Sequence, residues 1–225
     1  MNDTGTSGRA AFFDVDYTIL SSNSATLFVK YLMKRGEVGI PALLQTTYYI
    51  IKYKLNLLDF EKLAEREVLK YKGGSESDMI ELCDQWFDEY VVDYIRPKAV
   101  DRIVEHMEAG DTVVLLSAAT VYLVRPLARY LKIEHYLCNY LELGEDGIFT
   151  GKLRRPFCYG DGKLVWAKKL ADDHGFDLAD SYYYSDSITD LAVLEAFGHP
   201  VAVTPDPLLK KEAKNRGWPV LDWKP

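Results

Sequence analysis

Two acids two residues apart close a short apolar run near the start of the chain, in Phe12-Phe13-Asp14-Val15-Asp16-Tyr17-Thr18. Residues 10–13 have the unbroken apolar character of a buried strand. Strand side chains repeat on every second residue, so Asp14 and Asp16 would face the same way. Two adjacent carboxylates repel unless a cation or a shared proton relieves them. Further polar groups stand where other expected elements meet their loops. Ser117 closes an apolar strand over 112–117, and Lys163 opens a helix after Gly160-Asp161-Gly162. Asp186 and Asp190 follow a strand over 181–184. Together these types suit phosphoryl transfer. Asp14 can attack phosphorus, and Asp16 can protonate the leaving oxygen and then deprotonate water. Asp14 and Asp186 suit Mg²⁺, which takes a few carboxylates, retained waters and phosphate oxygens. Thr18, Ser117 and Lys163 can hold the other phosphate oxygens. Taken singly, each has a plainer reading: a polar turn after a strand, a strand-end serine, a solvated helix-end lysine, a helix cap and a surface acid. Lys163 at the positive end of a helix dipole is locally unfavourable, and a nearby anion would explain it.

The elements that must position these groups alternate strand and helix from residue 97 onward. Helices are expected over 97–109, 121–131, 163–174, 188–197 and 207–216, and strands over 112–117, 136–143, 181–184 and 200–203, with 148–150 pairing back as a hairpin. That rhythm predicts an α/β fold, a Rossmann-like doubly wound, mostly parallel sheet. In such a sheet the carboxyl ends of the strands share one edge, where ligands bind. Asp14, Asp16, Ser117 and Asp186 would meet there. Residues 22–93 instead carry helical patterns with breaks. Ser24 is expected to cap the first, Pro41 to open the second, Asp59 to cap the third, and Ser75 or Ser77 to cap a fourth reaching about Val92. The chain therefore divides into a core of residues 1–20 and 94–225 and an inserted α-helical cap of residues 21–93.

Composition narrows the partners. The 225 residues are 48% hydrophobic and carry a formal net charge of -7, which leaves no broad basic footprint for nucleic acid. Cys83, Cys138 and Cys158 are odd in number and widely spaced, so neither a disulfide framework nor a zinc site is expected, and a cytoplasmic setting is. The polar residues 1–8 read as a frayed tail without the basic and apolar regions of a signal peptide. The apolar stretch 40–51 ends at Lys52 and falls short of a transmembrane span.

With these residues in place the sequence resembles the haloacid dehalogenase superfamily, in particular its subfamily IB phosphatases related to phosphoserine phosphatase. The resemblance runs from Ala10 to about Trp218. Asp14-Val15-Asp16-Tyr17-Thr18, Ser117, Lys163 and Ser185-Asp186-Ser187-Ile188-Thr189-Asp190 match the four family motifs in order. It implies a Rossmann-like core, a helical cap after the first motif, and a small phosphorylated metabolite as substrate. It also implies Mg²⁺ held by Asp14, the backbone carbonyl of Asp16 and Asp186, with Asp190 supporting the metal's waters or orienting Lys163. A phosphotransferase using the same aspartyl phosphate, or a non-catalytic phosphometabolite-binding protein, stays open at this point. The departures bear on substrate. Ala118 and Ala119 stand where phosphoserine phosphatases have glycines, and Asn23 stands where they have a glutamate that reads the amino group. Counting from Phe60-Glu61, their cap arginine for the substrate carboxylate falls on Glu67, with Arg66 beside it. Asn23 and Arg66 are thus candidate specificity residues, and phosphoserine is disfavoured. Tyr31, Tyr48, Tyr49, Ile50, Ile51, Tyr53, Leu55, Leu57 and Leu58 either pack the cap's own small core or admit an apolar or aromatic ester. Arg154 and Arg155 either guide the substrate or form an exposed basic pair.

Overall fold

β1 (Ala10–Phe13) is wholly buried, and its alternation sorts Ala11 and Phe13 into one core and Ala10 and Phe12 into another. In the computed structural model, which describes residues 8–54, 57 and 59–224, four helices follow β1. They are α1 (Ser24–Lys34), α2 (Ile40–Lys54), α3 (Phe60–Leu69) and α4 (Glu76–Trp86). Then come α5 (Pro97–Glu108), β2 (Thr112–Thr120), α6 (Val121–Leu131), β3 (His135–Asn139) and the hairpin strands β4 (Leu141–Leu143) and β5 (Phe149–Leu153). The chain closes with α7 (Asp161–His174), β6 (Tyr182–Ser185), α8 (Leu191–Ala196), β7 (His199–Val203), α9 (Pro207–Arg216) and β8 (Val220–Leu221). The expected tail over 1–7 lies outside the described residues, as do Leu55 and Leu58.

Six strands form one sheet in the order β3-β2-β1-β6-β7-β8, and every pairing in it is parallel. The order reverses between β1 and β6, so the crevice beyond their carboxyl ends is the topological switch point where such sheets take ligands. Helices cover both faces. Val113 and Leu115 of β2 join the core of Ala11 and Phe13, while Val114 and Leu116 join that of Ala10 and Phe12. At the far end of the sheet His106 bridges the buried Asp111 (2.7 Å) and the Tyr184 hydroxyl (2.8 Å), and Arg9 holds the other Asp111 oxygen at 2.7 Å.

The chain leaves and rejoins the core at one place. Leu20 bridges Ile95, Ser21 donates to the Tyr94 carbonyl (2.8 Å), and Arg96 donates to that of Ile19 (2.9 Å). Between those points α1–α4 and their connections rise over the edge of the sheet that bears the acids. The hairpin β4–β5 meets them, with Phe149 and Gly147 bonded to the backbone around Gly73-Gly74 and Glu76. No helix among the described residues is long and apolar enough to cross a membrane.

Several elements differ from the sequence expectation. The single strand over 136–143 is two strands, because β3 pairs parallel with β2 and ends at Asn139 while β4 pairs antiparallel with β5; the Asn139 side chain donates to the Ala118 carbonyl (2.7 Å) and accepts from the Cys158 N–H (2.9 Å) at the break. Asn23, not Ser24, caps α1, accepting from the Thr26 N–H at 3.3 Å. The fourth helix ends at Trp86; the chain then widens over Phe87–Val91 and tightens over Val92–Tyr94, which keeps Phe87 and Val91 in the core. The two-residue edge strand β8 is too short to leave a periodic signal. The apolar residues of α2 divide by face. Tyr49 and Ile50 line a cavity, while Ile40, Leu44, Tyr48 and Ile51 are exposed, so they do not all pack a cap core.

Candidate active site

Asp14, Asp16, Ser117 and Asp186 line one cavity of about 390 Å³ between the strand ends and helices α1–α4. The backbone brings them there by different routes. Asp14 leaves β1 with its N–H bonded to the Tyr184 carbonyl at 2.9 Å. The chain then wraps into a tight turn closed by Leu20 N–H on the Val15 carbonyl (2.9 Å), with Tyr17 at φ 60°. That left-handed geometry is costly for a bulky residue and is typical of segments held in place around a site. It puts Asp16 at the N-terminus of α1. There Asp16 accepts from the Ser24 N–H (2.9 Å), the Ser24 hydroxyl (3.0 Å) and the Asn23 amide (2.7 Å). Ser117 accepts from the Ala119 N–H at 3.1 Å as the bulged end of β2 passes the site.

Lys163 is not a solvated helix-end lysine. Its side chain is 1% exposed, and its ammonium donates to Asp14 (2.8 Å), Asp190 (2.7 Å) and the Tyr183 hydroxyl (3.2 Å). Asp190 receives the Tyr183 and Ser185 hydroxyls on the same oxygen, at 2.6 and 2.8 Å. Its other oxygen, Oδ1, is buried without a hydrogen-bond partner among the described residues. The Gly160-Asp161-Gly162 turn makes this burial possible. A Cβ on Gly162 would stand 1.8 Å from the Phe157 carbonyl oxygen. Gly162→Ala is therefore expected to cost about 3 kcal/mol or more and to reduce turnover by displacing Lys163, as read by thermal unfolding and phosphate release.

Burial dominates the electrostatics. It pushes the Asp14 carboxyl up to about 7 against the pull of the Lys163 ammonium. It pushes Asp16 up to about 6 against the Ser24 hydrogen bonds. The four acids Asp14, Asp16, Asp186 and Asp190 face two buried cations, Lys163 and Arg96, the latter within electrostatic reach of Asp186. This excess of negative charge, with Asp14 and Asp186 on one cavity, fits a divalent cation whose remaining positions are taken by water, a backbone oxygen and phosphate. Among the described residues no three His, Cys, Asp or Glu side chains form a cluster that could by itself hold a metal ion.

Not every expected residue is at the cavity. Thr18 is fully buried and is not among the lining residues; its hydroxyl has no hydrogen-bond partner among the described residues. Arg66 is exposed, bonded to the Tyr49 hydroxyl and to Glu67, and Glu67 rather than Arg66 lines the cavity. Arg155 pairs with Glu61 (3.1 Å) and Glu65 (2.5 Å) of α3, and Arg154 lies over the Tyr140 ring. Asn23 lines the cavity, and its amide is committed to Asp16. Asn23→Ala is expected to lose about 1 kcal/mol of helix capping and to lower kcat severalfold on every ester alike. A change confined to substrate preference would contradict that role.

Sequence reasoning missed the supports. Tyr183, buried in β6, donates its hydroxyl to Asp190 and orients it. Asn139 ties the Ser117 loop to the segment before Lys163. Asp206 caps α9 through Leu208 and Leu209 and also accepts from the Ile188 N–H (2.8 Å), fixing the loop of Asp186. Only Asp206 carried a local signal, an acid before the first-turn proline of a helix.

Three comparisons bear on this arrangement. The family model for haloacid dehalogenase-like hydrolases matches residues 11–195. A probable phosphatase of Mycobacterium tuberculosis is 35% identical over 97% of this chain and 78% of its own length. A histidinol-phosphatase of Neisseria meningitidis is 29% identical over 95% of this chain and 98% of its own. A crystal structure of a protein of unknown function from Bordetella pertussis aligns with a TM-score of 0.85 at 28% identity, covering 96% of this chain and 99% of that one. The chain belongs to the haloacid dehalogenase-like hydrolase family and is one of its phosphatases.

Proposed function

We propose that the protein hydrolyses a small phosphate monoester with an apolar or aromatic leaving group, through a phosphoryl group carried on Asp14, under a cap formed by residues 21–93. The observation that carries this reading is the convergence of Asp14, Asp16, Ser117 and Asp186 on one cavity, with Lys163 bonded to Asp14 behind it. An oxygen of Asp14 attacks phosphorus as the bond to the leaving oxygen breaks. Asp16, held by Ser24 and Asn23 and raised to about 6, delivers its proton to that oxygen. The freed Asp16 carboxylate then takes a proton from water, which attacks phosphorus. The bond to Asp14 breaks and inorganic phosphate leaves. Lys163 and Ser117 hold negative charge on the phosphoryl oxygens, and Asp190 keeps Lys163 aimed at Asp14. Asp14, the Asp16 carbonyl and Asp186 would hold Mg²⁺, which when bound neutralises phosphate charge and keeps Asp14 ionised.

The roof supports an apolar or aromatic leaving group. Phe28, Tyr49, Tyr71, Trp86 and Tyr122 line the cavity beyond the acids. The histidinol-phosphatase relative, whose named substrate carries an aromatic ring, is in keeping with that. Phosphate release from a panel of alkyl, aryl, amino-alcohol and sugar phosphates tests the reading. Turnover is expected with Mg²⁺, is lost on chelation and returns on re-addition. Turnover that is indifferent to chelator would overturn the metal assignment, and none on any ester would overturn the hydrolase.

A further inference from the structure

Several large apolar side chains exposed among the described residues stand singly on different elements: Val104 on α5, Tyr130 on α6, Val165 on α7, Leu208 on α9 and Val220 on β8. Helix α2 is different. Ile40, Leu44, Tyr48 and Ile51 are each more than half exposed, and at about 100° per residue they fall within one quarter of the helix circumference. The other side of the helix is occupied: Thr46, Tyr49 and Ile50 line the catalytic cavity. An exposed apolar patch of a few hundred Å² marks an interaction site. The charge around it selects the partner. Lys34 and Arg35 precede the stripe and Lys52 and Lys54 follow it, with Glu37 the one acid between Lys30 and Lys54. Glu37 is already bonded to Arg35 (2.5 Å), and Lys52 lies over the Tyr48 ring, 5.1 Å from its centre. The whole chain carries a formal charge of -7, so this segment reverses the sign locally. Two copies pairing through the stripe would set basic ends against basic ends in either direction, and the stripe is smaller than the ~800 Å² that each partner of a stable dimer buries. An anionic bilayer suits both features. Its headgroup boundary takes up the apolar side chains and the tyrosine ring, and its surface charge attracts the flanking lysines.

We infer that the cap docks through the outer face of α2 on the surface of an anionic lipid bilayer, lying on it without crossing it. α2 is then a wall one helix thick, about 10 Å, between the lipid and the cavity. That places the cavity beside apolar or aromatic esters that partition into the interface. The docking goes beyond the phosphatase reading and is read by binding alone, so either can fail without the other.

The experiment sediments the full chain with vesicles of phosphatidylcholine alone and of phosphatidylcholine mixed with phosphatidylglycerol. Binding to the mixed vesicles is expected to exceed that to the neutral ones about tenfold and to fall in ~0.5 M salt. Leu44→Glu and Ile51→Glu each weaken it about tenfold. Val165→Glu, a comparable change at an exposed apolar residue of α7, leaves it unaltered. Lys52→Gln narrows the gap between the two kinds of vesicle. None of these residues lines the cavity, so thermal unfolding and phosphate release from a water-soluble ester stay at the wild-type level in each variant. Absence of binding to the mixed vesicles, or a loss shared equally by Val165→Glu, overturns the inference. A chain that is dimeric by light scattering, becomes monomeric in Leu44→Glu and does not bind vesicles also overturns it, and gives the face to a second copy.

Discussion

Asp14→Asn is expected to abolish phosphate release, to less than about one part in 10⁴ of the wild-type rate, while the chain keeps its fold. The amide is nearly isosteric, so β1 and the tight turn after it are undisturbed. What disappears is the attacking oxygen and one of the two carboxylates that would hold Mg²⁺. The fold survives because Lys163 still has Asp190 at 2.7 Å, and because removing one of two acids from a single ammonium relieves like-charge repulsion. Thermal unfolding without metal should therefore be unchanged or slightly raised. Near-normal turnover in this variant would remove Asp14 from the chemistry.

Lys163→Met carries the second large effect, and it falls on both stability and activity. The ammonium is the shared partner of Asp14 and Asp190, all three side chains being 9% exposed or less. Taking one member out of a buried ionic set leaves charge without a partner and typically costs about 3–5 kcal/mol. Here the loss should sit near the lower figure, because Asp190 keeps the Tyr183 and Ser185 hydroxyls and Asp14, already pushed up to about 7, can take a proton. Turnover should fall about 10³-fold or more as the phosphoryl oxygens lose their cation. Denaturant unfolding and phosphate release check both parts. Adding Asp190→Asn to Lys163→Met should return part of the stability and none of the activity, since it removes the stranded charge without restoring the donor. A single variant as stable as wild type would mean that Lys163 is solvated.

The convergence of Asp14, Ser117 and Asp186 was legible because they sit at strand ends. Apolar runs announce β1, β2 and β6, and in a parallel sheet their carboxyl ends must share an edge, so Asp14, Ser117 and Asp186 could be brought together from order and spacing alone. Lys163 was found by its oddity at a helix N-terminus, and the structure gives the reason: two buried carboxylates hold it. What stayed hidden depends on side-chain direction across long separations. Nothing local to Tyr183 says that its hydroxyl meets Asp190, and Asn139 looks like any strand residue until its amide is seen between Ala118 and Cys158. Arg66 and Glu67 are neighbours in sequence, but on a helix adjacent residues face about 100° apart, so a register counted from a distant motif cannot decide which one reaches the cavity. Thr18 shows the same limit inside the motif itself. Its spacing suggested phosphate binding, yet the turn through Tyr17 leaves it fully buried and outside the cavity lining.

The central claim is that the phosphoryl group passes through Asp14, and chemical trapping tests it most directly. An acyl phosphate is reduced by borohydride to the alcohol, which would convert aspartate to homoserine. Enzyme turning over a good ester with Mg²⁺ should be acid-quenched, reduced, digested and read by mass spectrometry. The account predicts homoserine at residue 14, dependent on substrate and metal, and enriched in Asp16→Asn when the ester carries a leaving group that departs without a proton, such as a nitrophenolate, because only the activation of water is then lost. Unmodified Asp14 in both proteins, with phosphate still released by the wild type, would contradict it and place the nucleophile in the solvent.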